Sequence, residues 1–184
     1  MVARYNFPYT EKALDPRASG TRSPPNPMPV LVDTVRAVAE AARGFRTGGL
    51  RGPERLLLAG HSMGGRASSM AVAEGLRADG LVLFSYPWHP PGRPDKPRIG
   101  HLPRIGVPTL CFTGTRDAFC ERERLAGVFD KLPSGWTQAW LEGADHGLDT
   151  LKKSGRRRED VLAEAAAAVR QWLAALPAGV AQVG

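Results

Sequence analysis

Three side chains of this sequence, Ser62, Asp117 and His146, could together carry out nucleophilic chemistry, and each has a glycine within three residues, in a turn-forming stretch. Ser62 stands in Leu56-Leu57-Leu58-Ala59-Gly60-His61-Ser62-Met63-Gly64-Gly65-Arg66. An apolar run leads into Gly60, and small residues (Ala67, Ser68, Ser69, Ala71, Ala73) follow the Gly64-Gly65 pair. This pattern predicts a buried strand turning sharply into a helix, with Ser62 at the tip. Side chains at Gly60 or Gly64 would collide with neighbouring backbone in so tight a turn. The pattern is the G-x-S-x-G nucleophile elbow in the strand–turn–helix setting that motif requires. The plainer reading makes Ser62 only the N-cap of a helix that follows a glycine-rich loop.

A serine hydroxyl needs a base to take its proton, and the base is commonly a histidine oriented by a carboxylate. In strand–turn–helix sites of this kind the chain order is Ser, then Asp or Glu, then His. His146, in Glu142-Gly143-Ala144-Asp145-His146-Gly147, is the candidate base. Of the four histidines, His61 adjoins the nucleophile and cannot easily turn round to it, while His89 and His101 precede the candidate acid and break the order. Asp117, in Thr113-Gly114-Thr115-Arg116-Asp117, is the candidate acid, and its bland alternative is a turn residue that caps the next segment. Glu142 and Asp145 are the fallback acids, less suitable because they lie so near His146.

The elements that must position these groups alternate between strand and helix patterns. Val2 to Phe7 reads as a short strand closed by Pro8, and Asp15 to Pro29 as an exposed Pro/Ser/Gly-rich loop. Val30 to Arg43 places Leu31, Val35, Val38 and Ala42 near helical spacing. Arg55 to Gly60 is the strand before the elbow, Gly64 to about Glu74 the helix after it, and Gly75 its stop. The continuous apolar run Leu81-Val82-Leu83-Phe84 suits a strand buried on both faces. A proline-rich connection from Tyr86 to Pro108 is longer than an ordinary link and hints at a segment that lines a site. Strand patterns at Thr109–Thr113 and Trp136–Leu141 flank a helix over Glu121–Lys131. A last helix runs from about Glu159 to Leu176. This alternation argues for one domain, residues 1–184, with a parallel sheet covered on both faces.

Composition narrows the partners. A chain of 184 residues that is 42% hydrophobic can build one sizeable core. It has no apolar run long enough to span a membrane and no secretory h-region. Cys111 and Cys120 fit neither a disulfide framework nor a zinc pattern, so the expectation is a reducing cytoplasm and no metal. The net charge of +7 invites a nucleic-acid reading. Its one dense cluster, Lys152, Lys153, Arg156, Arg157 and Arg158, lacks interleaved aromatics and runs into Glu159-Asp160. A solvated loop and helix start is the expectation, with an anion-binding patch as the lesser reading.

Together these residues resemble the α/β-hydrolase superfamily, and within it a small hydrolase-like family related to dienelactone hydrolases and testis-expressed hydrolase-like proteins. The resemblance runs through nearly the whole chain. It is carried by Arg4-Tyr5-Asn6-Phe7-Pro8-Tyr9, Gly60-His61-Ser62-Met63-Gly64-Gly65-Arg66 and Tyr86-Pro87-Trp88-His89-Pro90-Pro91-Gly92, with Gly114-Thr115-Arg116-Asp117 and Gly143-Ala144-Asp145-His146. It implies a mostly parallel, doubly wound sheet, a triad of Ser62, Asp117 and His146, and a Trp88-His89-Pro90 loop near the pocket. Dienelactone hydrolases themselves use a cysteine nucleophile, so their substrate does not transfer.

One departure stands out. Members of this family begin with strands ending in a His-Gly-Ala-Gly-like loop, and this sequence starts at the strand after it. That loop normally supplies one oxyanion-hole amide, and the residue after the nucleophile, here Met63, supplies the other. Losing one donor typically lowers the rate by about two to three orders of magnitude. The favoured expectation is that the true start lies upstream of Met1. A decayed hydrolase and direct pairing of the flanking strands are the alternatives.

The resulting expectation is a serine hydrolase acting on an ester, thioester or similar acyl bond of a small molecule. Ser62 is the nucleophile, His146 the base, Asp117 the orienting acid and Met63 an oxyanion donor. His61, Trp88 and His89 are pocket candidates, joined by Phe119 and Trp136. No cofactor, nucleic acid or membrane is implied, and an exposed sheet edge would favour self-association. The rival expectation is a non-catalytic interaction module that keeps the fold.

Overall fold

A run such as Leu81–Phe84 sends alternate side chains to opposite faces of a sheet, so both faces need a cover. The computed structural model describes residues 2–15, 24–46, 52–120 and 122–177. It divides the chain into two compact units, Met1–Leu56 and Leu57–Gly184. In the second, four strands form one parallel sheet in the order β1-β2-β3-β4: β1 (Leu57–His61), β2 (Gly80–Phe84), β3 (Thr109–Gly114) and β4 (Trp136–Leu141).

The covers follow side-chain parity. Leu81 and Leu83 of β2 and Cys111 of β3 form one core cluster with Val72 of α3 (Met63–Ala73) and Leu125 of α4 (Arg122–Phe129). Val82, Leu110 and Phe112 point the other way, into a second cluster with Val161 and Ala165 of α5 (Arg158–Ala175). The crossovers β1-α3-β2 and β3-α4-β4 thus put their helices on the same face, as right-handed connections between sequential parallel strands must. The closing helix α5 covers the opposite face. The β2–β3 connection, 85–108, forms no α-helix. It packs Tyr86, Trp88, Leu102 and Ile105 into the α3 side of the core and holds itself by internal hydrogen bonds. The Tyr86 hydroxyl donates to the Arg98 carbonyl at 2.7 Å, and the Arg98 amide to the Trp88 carbonyl at 2.7 Å.

β2 and β3 are the buried central strands. β1 pairs only with β2 among the described residues, and Ala59 at its middle is exposed. Glycine serves packing at Gly80, where an added Cβ would stand 2.9 Å from the Trp172 ring of α5.

The first unit holds α1 (Pro8–Leu14) and α2 (Met28–Gly44). Leu31, Val32, Val35 and Ala39 make the buried stripe of α2, at the spacing expected of a helix. The predicted strand at Val2–Phe7 is not formed. Residues 2–7 pair with no strand, and Pro8 opens α1 at a position where its missing N–H costs nothing. Thr10 and Glu11 donate their amides to the Phe7 carbonyl, and the Asn6 side-chain amide reaches the Glu11 carboxylate at 2.8 Å. The residues expected to end a strand therefore start a helix. Much of the predicted Asp15–Pro29 loop lies outside the described residues, and its last two residues belong to α2. The other predicted elements differ from those observed only at their ends.

Candidate active site

All four strands point their C-terminal ends the same way, so the turns that follow them meet at one edge of the sheet. Ser62 follows β1, Asp117 follows β3 and His146 follows β4. The structure brings these three side chains together. The Ser62 hydroxyl lies 2.8 Å from His146 Nε2, and His146 Nδ1 lies 3.0 Å from both Oδ1 and Oδ2 of Asp117. With the proton on Nδ1 donated to the carboxylate, Nε2 presents its lone pair to the serine hydroxyl, the arrangement a base needs.

The elbow is built as its glycines require. The Ser62 amide donates to the Phe84 carbonyl at 2.8 Å, extending the β1–β2 ladder by one residue. The chain then reverses through Ser62 at φ 50° and ψ −116°, a conformation that costs a non-glycine residue about 1–3 kcal/mol. An added Cβ on Gly60 would overlap the backbone of Gly64 and Gly65, and one on Gly65 would sit 2.8 Å from the Gly60 carbonyl. The crossing is thus between Gly60 and the Gly64–Gly65 backbone. Ser62 occupies the N-cap position of α3, yet its side chain makes no capping hydrogen bond. The plainer reading of this serine therefore fails, because the hydroxyl is turned to His146. Met63 opens α3, so its amide is among the first-turn N–H groups that have no intrahelical acceptor.

Asp117 both closes a turn and reaches His146. Its Oδ1 accepts the Phe119 amide at 2.8 Å, closing a turn, while its side chain, shut off from solvent, holds His146. A buried carboxylate with these partners can balance an imidazolium formed next to it. The turns that carry Asp117 and His146 are stitched together. The Arg116 amide donates to the Ala144 carbonyl at 2.9 Å and the Gly143 amide to Thr115 Oγ1 at 2.9 Å. Gly114 permits this approach, since a Cβ there would overlap the Ala144 carbonyl. The fallback acids are engaged elsewhere: Asp145 Oδ1 accepts the amides of Gly147 and Asp149, and Glu142 accepts from Thr115.

Two contacts of His146 escape sequence reasoning. The Phe119 ring lies with its centroid 4.2 Å from the imidazole, and His61 Nε2 donates to the His146 carbonyl at 2.8 Å. Neither had a spacing signal, since each joins residues far apart in the chain. Of the pocket candidates, Trp88 and His89 line one small cleft, whereas His61 is exposed and spent on that carbonyl. Trp136 belongs to the α3-side core. His101 donates to Ser69 Oγ at 2.8 Å, and burial, reinforced by Arg66 and Arg104, brings its pKa down to about 4. Burial likewise pushes the Cys111 thiol up, as suits a packing residue. Among the described residues no group of three metal-ligating side chains occurs.

A family model for the alpha/beta hydrolase domain matches residues 1–174. The chain belongs to the alpha/beta hydrolase domain family. Solved structures resemble this hydrolase-family chain in fold. An α/β serine hydrolase without a lid from Xanthomonas campestris shares 23% identity and superposes with a TM-score of 0.60, over 89% of this chain and 65% of that one. An α/β serine hydrolase homologue from Coxiella burnetii shares 15% identity at a TM-score of 0.60, over 84% and 64%. A dienelactone hydrolase-like promiscuous phosphotriesterase from metagenomic libraries shares 17% at 0.58, over 80% and 62%. This hydrolase-family chain thus spans less than two thirds of the length of these neighbours. No helix among its described residues is long and apolar enough to cross a membrane.

The basic cluster lies beyond the His146 turn. Lys152, Arg156, Arg157 and Arg158 line a surface cavity of about 420 Å³ with Asp149 and Thr150. Arg156 pairs with Glu164, Arg157 with Asp160 and Arg158 with Asp149. The cluster is largely exposed and its arginines carry their own counter-ions, as expected of a solvated helix start.

Proposed function

We propose that the chain is a serine hydrolase that cleaves an ester, thioester or similar acyl bond through Ser62, His146 and Asp117. The observation that carries this reading is the continuous relay Asp117–His146–Ser62, ending in a hydroxyl that caps nothing. Ser62 Oγ attacks the acyl carbon as its proton passes to His146 Nε2, and the carbonyl electrons move onto oxygen. The Met63 amide, at the N-terminus of α3, faces the developing charge. Collapse of the adduct expels the alcohol or thiol, which takes the proton back from His146. Water then repeats the sequence on the acyl-serine, giving up a proton to His146 and releasing the acid and free Ser62. Asp117 holds the imidazole in the Nδ1–H tautomer throughout and balances its transient positive charge.

Labelling with a fluorophosphonate, which phosphorylates an activated serine with loss of fluoride, tests this directly. Wild-type protein is expected to label and Ser62→Ala is not. Labelling that survives Ser62→Ala would remove Ser62 from the role. A second reading, a non-catalytic module on the same fold, draws on β1, whose outer edge has no strand partner among the described residues. Failure of the wild type to label or to hydrolyse any activated ester would favour that reading.

A further inference from the structure

Trp88 and His89 follow β2 in the long connection, and both are buried, with 3% and 6% of their surface exposed. His89 Nδ1 donates to the Pro90 carbonyl at 2.8 Å, which leaves Nε2 as an acceptor. That Nε2 is buried without a partner, and so is the indole N–H of Trp88. One orphan is an acceptor and the other a donor. Both side chains line the same cleft of about 50 Å³, whose remaining walls are Pro94, Pro97, Ile99, Leu125 and Val128. Buried polar groups are ordinarily hydrogen-bonded, and two complementary orphans on adjacent residues that line one apolar cleft specify what would satisfy them. A group that both donates and accepts, on an aliphatic stem, meets both orphans and the apolar walls at once. A hydroxyl is the smallest such group, and the volume suits little more than a hydroxylated carbon.

The cleft is also tied to the site. The Trp88 amide donates to the Phe119 carbonyl at 3.1 Å, the Phe119 amide donates to Asp117, and the Phe119 ring lies against His146. We propose that the cleft under the Trp88–His89 segment binds an aliphatic hydroxyl of the substrate, making this a hydrolase for acyl compounds whose acyl or alcohol part carries a hydroxyl near the scissile bond. The substrate half of this inference rests on the serine-hydrolase reading. The binding half does not.

Two measurements separate them. Titration of ¹⁵N-labelled protein with propan-1-ol, followed at the Trp88 indole N–H (assigned through Trp88→Phe), reads binding without any turnover. A saturable shift that is lost in His89→Leu is expected. An indole resonance indifferent to the alcohol, as when the cleft holds water only, would overturn the site. Hydrolysis of p-nitrophenyl 3-hydroxybutanoate and of its near-isostere p-nitrophenyl 3-methylbutanoate reads the substrate class. The expected kcat/KM ratio favours the hydroxy ester by about ten-fold or more, because binding the methyl analogue leaves two buried groups unpaired. The ratio falls toward one in Trp88→Phe and His89→Leu, and thermal melts establish that both variants are folded. Equal rates in the wild type would overturn the substrate class. Absence of all hydrolysis alongside a saturable indole shift would instead count against the serine-hydrolase reading and leave the binding site standing.

Discussion

His61 donates through Nε2 to the main-chain carbonyl of His146 at 2.8 Å, across 85 positions of sequence. The residue before Ser62 thus grips the backbone of His146, so the turns after β1 and β4 are fastened to each other independently of the Ser62–His146 contact. Three further contacts fix the imidazole itself: Ser62, Asp117 and the Phe119 ring. On the proposed function His61 is a positioning residue, with no contact to the reacting atoms required.

Replacing that donor should loosen His146 without unfolding the chain. His61→Phe is expected to slow fluorophosphonate labelling by about five-fold, the effect of one hydrogen bond of roughly 1 kcal/mol, with little change in melting temperature because His61 is exposed. His61→Gln, which keeps a donor, should recover part of the rate. Equal labelling rates for all three proteins would show that the contact positions nothing.

Asp117→Asn tests the acid separately from the fold. An amide of the same shape can still accept the Phe119 amide and keep the turn closed, but it no longer balances an imidazolium or enforces the Nδ1–H tautomer. Ester hydrolysis should fall by about four orders of magnitude. Circular dichroism should remain that of the wild type, and a variant that retained more than a tenth of the activity would disqualify Asp117.

Gly114→Ala tests the approach of the two turns. Its Cβ would overlap the Ala144 backbone, and relief requires the Asp117 and His146 turns to move apart. A loss of stability near the upper end of about 1–3 kcal/mol is expected, together with most of the activity. Gly127→Ala, on α4 with open space at that position, is the comparison and should be neutral or slightly stabilising. Chemical denaturation of the two variants measures the difference.

His101 makes stability depend on pH. Its pKa is held down to about 4 in the folded chain by burial first and by Arg66 and Arg104 next, against an ordinary value of 6.5. The unfolded chain therefore binds the proton more readily. The contribution is complete above pH 6.5, declines as the pH falls toward 4, and is constant below that. His101→Gln, which can still donate to Ser69, should flatten this part of the melting-temperature profile. An unchanged slope between pH 6.5 and 4 would place the pH dependence elsewhere.

The predicted strand at Val2–Phe7 shows where local pattern misleads. Alternating apolar and polar residues are compatible with a strand, but a strand exists only when another supplies hydrogen bonds, and Pro8 instead starts a helix. Trp136–Leu141, by contrast, is read correctly to the residue, because β3 pairs along its whole length. The steric need for glycine in the elbow was legible as a motif, whereas its partner atoms were not: Gly60 meets the backbone of Gly64 and Gly65. Gly114 stood in a legible motif, but its steric role was not legible, since what it accommodates is Ala144, a residue distant in sequence.

By itself the sequence determined the alternation of strands and helices and the chain order of Ser62, Asp117 and His146. Those features are local, set by side-chain periodicity, by glycine at a turn and by the residue types that can trade a proton. Only the tertiary structure decided that the Ser62 hydroxyl is turned to His146 instead of capping α3, that His61 is spent on the His146 carbonyl, and that Trp88 and His89 bury an unpaired donor and acceptor in one cleft. Each of those depends on which strand ends lie side by side, and parallel pairing across four strands brings together residues that no short window of sequence contains.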